Sequence, residues 1–268
     1  MGERGSGGAC PSTAQSMNIL ARAIGICGFL FASVLMLRGV GSRLFRLFPL
    51  FYSYIIYILC GFLGMYLIGW LAPMMYPSAY WIYYLISILV EFAVLAEISD
   101  QIFHPFPAIR SLGRALTVVI SAGLGLLYVL PAILRPPDSS PVLLSIALRT
   151  FVTKAIILVV LFYVARHYGS PLGRNVGGLM LGFSIYVSIN IVIMAGAQAF
   201  GEALFAPVLW VMSPLASALC LSVWTISLWD LAPVPNLRAI AKAAGRDSEA
   251  VALELTRFNN ELSKFLQK

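Results

Sequence analysis

Seven apolar runs, each long enough to cross a bilayer, take up most of this chain: 17–37, 48–71, 79–102, 112–134, 142–165, 176–200 and 205–231. A helical span needs about 20 residues, because the hydrocarbon core is about 30 Å thick and a helix rises about 1.5 Å per residue. Each run is apolar all round rather than along one stripe, so no face is left for water. Charged residues make up 11% of the chain, against about 25% in a soluble domain. Lipid is the remaining solvent. In lipid the backbone must satisfy its own hydrogen bonds within each segment, which selects helices. The expected fold class is therefore all-α: a polytopic, seven-transmembrane-helix bundle.

The basic residues orient the bundle. The loops after the first, third and fifth runs, with the tail, hold Arg38, Arg43, Arg46, Arg110, Arg114, Arg166, Arg174, Arg238, Lys242, Arg246, Arg257, Lys264 and Lys268. The opposite side holds only Arg4 and Arg135. Short cytoplasmic loops collect Lys and Arg, so this asymmetry predicts an outside N-terminus and a cytoplasmic C-terminus. It also disposes of nucleic acid as a partner for the net charge of +7, since the charge is spread over short loops. Trp70, Tyr76, Tyr80, Trp81 and Trp210 are expected in an outer aromatic belt, and Trp224 and Trp229 in an inner one.

Four segments follow from this reading. Residues 1–16, rich in Gly and Ser, are expected to be disordered. No cleavable signal peptide is expected. Residues 17–231 form the transmembrane domain and 232–246 a linker. Residues 247–268 are charged and amphipathic, and predict a short cytoplasmic helix. There Val251, Leu255, Phe258, Leu262 and Phe265 follow a 4-3-4-3 spacing, a heptad seam suited to a homodimer or a cytoplasmic partner. A helix folded on the membrane surface fits the same pattern. Gly178 and Gly182 have the spacing that lets helices approach closely. Cys27, Cys60 and Cys220 lie inside apolar runs and Cys10 in the N-terminal segment, with no paired spacing among them. The three in runs read as small buried side chains rather than disulfide or metal sulfurs.

Ionisable groups inside a span cost at least about 2.5–3.5 kcal/mol on insertion scales, so each calls for a partner or water. Glu91, Arg149 and Lys154 are the deep ones. Glu91 and Lys154 each lie twelve residues past the outer start of their runs, about 18 Å in by helical rise. Opposite in charge and level in depth, they are expected to face one interior cavity and pair there. Arg149 points about 140° away from Lys154 at about 100° per residue. Its expected partner is Asn190 or a ligand's negative group. At the inner end, Glu97, Asp100 and Gln101 share one helix face and precede Arg110 and Arg114. They could latch the third and fourth spans, or form an ordinary solvated helix end.

Other chemistries lack their residues. A retinal protein needs a Schiff-base lysine in the seventh span, and 205–231 contains none. Intramembrane proteases need a GxSG serine with histidine, paired intramembrane aspartates, or HExxH, and none occurs. His104 and His167 are lone loop residues, a poor basis for zinc. No catalytic residue, metal or cofactor is expected, and no enzyme activity.

The segment EISDQIFHPFPAIRSLGR, residues 97–114, resembles a pattern in seven-span membrane proteins of soil bacteria of the acidobacterial type. It reads as an acidic residue followed by F-x-P-[FY]-P-x-[IL]-R-x-L-G-R, and the similarity covers the third and fourth spans best. That family has no assigned activity, so the resemblance implies topology and a bacterial plasma-membrane location without implying a chemistry. The leading expectation is a seven-helix sensor or signalling module. It would bind a small ligand in an outward cavity and relay through its cytoplasmic helix. A small transporter or channel using the same charges comes second, and a non-catalytic membrane scaffold third.

Overall fold

The computed structural model describes residues 11–42, 44–103, 140–167 and 173–229, with single positions 119, 123 and 257. Residues 1–10, almost all of the expected fourth run at 112–134, the linker at 232–246 and nearly all of the tail at 247–268 lie outside the described residues. So do His104, Arg110 and Arg114. Every long element described is a helix: α1 (Pro11–Val40), the single turn α2 (Leu44–Leu47), α3 (Pro49–Leu71), a 3-10 turn (Pro73–Met75), α4 (Tyr76–Ile102), α5 (Ser140–His167), α6 (Arg174–Phe200) and α7 (Glu202–Ser227). Five stretches are long and apolar enough to cross a membrane: Leu20–Val40, Pro49–Leu71, Pro73–Ile102, Leu144–Arg166 and Arg174–Phe200. A shorter apolar stretch, Val211–Ser227, lies in α7. The chain has the build of an integral membrane helical bundle.

Local chemistry sets the ends. Pro49 opens α3 at a position where the missing N–H costs nothing. The described part of α1 begins at Pro11, and no glycine follows until Gly25. Helix therefore takes over the last part of the segment expected to be disordered over 1–16. Between α6 and α7 the chain turns on one residue, Gly201, at φ 94° and ψ 141°. Only glycine reaches that backbone conformation without strain, so the helices can reverse with no longer loop.

Packing is closest between α6 and α7. Gly178 and Gly182, expected from their spacing to allow close approach, lie against Ser227 and Trp224 of α7. Trp224 is the hub of the core. Its ring meets Phe51 edge-on at 5.0 Å, Tyr54 at 6.1 Å and Phe183 at 4.9 Å. Its Nε1 donates to the Leu179 carbonyl at 3.1 Å. This corrects its expected place in the inner aromatic belt: Trp224 is 1% exposed, because the bare face of Gly182 makes room for the indole. Trp229, five residues on, does lie exposed. The cysteines also divide. Cys220 is buried, but Cys27 and Cys60 are exposed on outer helix faces, which in a membrane bundle contact lipid rather than water.

Leucine at position 182 would drive its side chain into Trp224. We expect Gly182→Leu to cost about 1–3 kcal/mol by overpacking. Gly177→Ala, where an added Cβ meets nothing within 4 Å, is expected to be neutral. Thermal unfolding of both variants in detergent checks this; equal melting temperatures would show that the glycine face is not a contact.

Candidate functional site: a buried ion pair and a carboxylate helix cap

On α4 the buried positions include Leu85, Ile88, Phe92, Leu95, Ile98 and Ile102. These follow the three-and-four spacing of one helical face, and Glu91 falls on the same face. On α5 the corresponding stripe runs through Ala147, Phe151, Leu158, Leu161 and Ala165, and Lys154 falls within it. Periodicity thus turns both charges inward. The structure joins them: the Lys154 Nζ donates to Glu91 Oε2, with the two side chains 2% and 5% exposed.

The pair's surroundings are aromatic. Tyr54 Oη donates to Glu91 Oε1 at 3.4 Å. The Lys154 ammonium lies 4.8 Å from the Phe151 ring centre and 5.7 Å from that of Phe92, distances at which ring faces attract a cation. Tyr57, Tyr83, Tyr84 and Tyr186 are also within electrostatic reach of Glu91. Tyr57 and Tyr83 stack at 4.8 Å, and the Tyr57 hydroxyl donates to the Tyr83 carbonyl. The expected partners meet directly: both charges are satisfied by each other and by neighbouring hydroxyl and ring faces.

The other expected members of this site lie apart. Arg149 is on the exposed face of α5. Asn190 is buried; its Nδ2 donates to the Tyr186 carbonyl at 2.8 Å, and Ser213 Oγ donates to its Oδ1 at 3.5 Å. Asn190 therefore serves the α6–α7 contact.

At the other end of α4, Glu97 replaces the expected solvated helix end with a buried cap. Its Oε1 accepts from Leu50 N at 2.9 Å and its Oε2 from Phe51 N at 2.7 Å. Those amides belong to the first turn of α3, which has no side-chain cap of its own. Initial helix amides lack intrahelical partners, and the helix dipole favours an anion there. Gln101 Nε2 adds a bond to the Leu47 carbonyl at 2.8 Å. The described contacts of Glu97 and Gln101 thus fasten α4 to the α2–α3 junction; the expected latch partners Arg110 and Arg114 lie outside the described residues. A cleft of about 320 Å³ opens beside this cap, lined by Arg46, Leu50, Glu97, Asp100 and Gln101 among others. Among the described residues there is no group of three or more potential metal ligands.

Composition and spacing did not single out Tyr54 or the tyrosines around Glu91. The available signal was their place in spans, Tyr54 and Tyr57 on one helix and Tyr83 and Tyr84 on another. No family model, curated protein or solved structure matches the chain.

Proposed function

We propose that this chain is a seven-span plasma-membrane protein of bacteria, N-terminus outside and C-terminus inside, that works as a sensor or signalling module with no catalytic step. The support for that topology is the distribution of Lys and Arg and the resemblance of residues 97–114. The observation that carries the functional reading is the Glu91–Lys154 pair. Among the described residues, α4 packs mainly on α3, and α5 mainly on α6. The pair joins α4 directly to α5. A ligand that binds better to an arrangement with this pair open shifts the balance toward it.

A small anion entering from outside competes with Glu91 for Lys154. Release of Glu91 frees α4 from α5. Because Glu97 and Gln101 tie α4 to the α2–α3 junction, the motion reaches the inner end of the bundle.

Spin labels at Cys60 on α3 and at Val192→Cys on α6, in a chain otherwise free of reactive cysteine, test this. Both positions are exposed. Small carboxylates, phosphate and sulfate added in turn are expected to lengthen the distance for at least one anion, and Glu91→Gln to lengthen it without any. A distance unmoved by every anion and by Glu91→Gln would sink the switch. The tyrosine hydroxyls around Glu91 favour a second reading, a small transporter or channel. Lys154-dependent uptake of a labelled anion into liposomes would select it instead.

A further inference from the structure

The end of α7 is held in an unusual way. The last four carbonyls of a helix have no intrahelical partner. Here three side chains from two other helices converge on carbonyls in the last turn of α7 and just beyond it. Arg38, in the last turn of α1, donates from Nε to the Trp229 carbonyl at 2.9 Å. Arg174, the first residue of α6, donates from Nη2 to the Ile226 carbonyl at 3.4 Å. Asn175 donates from Nδ2 to the Ser227 carbonyl at 3.4 Å. The Arg38 guanidinium also lies 6.0 Å from the Trp229 ring centre.

Among the described residues, charge is left over. A helix end carries a partial charge of about −0.5, too little to neutralise two guanidinium groups. Each arginine has five N–H donors, and the contacts above use one from each. The surface beside them is apolar and open. Leu37 is 75% exposed, Ile226 67% and Trp229 51%. In a membrane bundle that surface meets acyl chains, with Trp229 at the headgroup level. A planar, multiply donating cation at this depth matches phosphate oxygens.

We propose that Arg38 and Arg174, clamped at the end of α7, bind the phosphate of an anionic phospholipid headgroup, whose chains lie along Leu37 and Ile226. A lipid fits better than free phosphate, because the arginines stand directly beside a lipid-facing apolar surface. The site adds a contact between the bilayer and the helix that leads into the tail. It rests on the membrane-spanning build of the chain and not on the sensor reading.

Native mass spectrometry of the full chain, purified from nanodiscs of equal phosphatidylglycerol and phosphatidylcholine, tests it. Wild type is expected to retain phosphatidylglycerol preferentially. Combined Arg38→Gln and Arg174→Gln should reduce that preference at least tenfold. Arg166→Gln, which removes an exposed arginine at the inner end of α5, should leave it unchanged. Equal retention by wild type and the double variant overturns the proposal. So does an equal loss in Arg166→Gln, which would indicate general charge attraction. Inorganic phosphate that displaces the lipid and stabilises the protein equally against heat would show a free-phosphate site and overturn the lipid assignment. Should the double variant not fold, brominated phosphatidylglycerol is titrated into wild type and Trp229→Phe. Quenching stronger than with brominated phosphatidylcholine, and lost with Trp229, supports the site; equal quenching by both lipids overturns it.

Discussion

Lys154→Met is expected to destabilise the bundle by about 3–5 kcal/mol, the usual cost of removing one partner of a buried ion pair. The variant leaves the Glu91 carboxylate among Phe92, Phe151 and tyrosines, with only the long Tyr54 bond to satisfy it. Glu91→Gln should cost a similar amount, because it strands an ammonium against two phenylalanine rings. The double variant should recover most of the loss, since replacing both charges removes the desolvation as well as the attraction. Denaturation by sodium dodecyl sulfate, with helicity as the readout, gives all three values. If the double variant is no more stable than either single one, the two residues are not coupled and the switch reading loses its carrier.

Glu97→Ala should cost about 1.5–3 kcal/mol, the range for hydrogen bonds to a charged group. It strands the amides of Leu50 and Phe51 together. Glu97→Gln keeps one acceptor oxygen and should lose roughly half as much. Hydrogen exchange distinguishes this cap from a general packing effect. The amides of Leu50 and Phe51 should exchange faster in Glu97→Ala, while those in the middle of α6 keep their protection. Uniform acceleration along the chain would mean that Glu97 stabilises the bundle without capping α3.

The charge pair was legible in sequence because depth and face are both helical arithmetic. Rise placed Glu91 and Lys154 at one level, and rotation set Arg149 off to another side. Partner identity was less legible. Glu97 sits near Asp100, His104 and Arg110 along the chain, so local spacing pointed to a solvated helix end or a latch with the fourth span. Its bonding partners instead come from the start of α3, forty-six and forty-seven residues away. Trp224 misled in the same manner. Its position near the end of a run suggested an interfacial tryptophan, whereas a glycine on a different helix draws it into the core.

By itself the sequence determined the solvent of this protein and the form its backbone takes in it. Runs of about 20 apolar residues leave no alternative to helices in lipid, and the Lys and Arg distribution gives the expected orientation. The tertiary structure alone decided which helix meets which, and with that the roles of the polar groups. Glu97 caps α3, Tyr54 attends Glu91, and Arg38 and Arg174 converge on the end of α7. The physical reason is that periodicity records only whether a side chain faces inward. A carboxylate or guanidinium is then satisfied by whatever donor or acceptor the neighbouring helix presents, and that neighbour is chosen by packing.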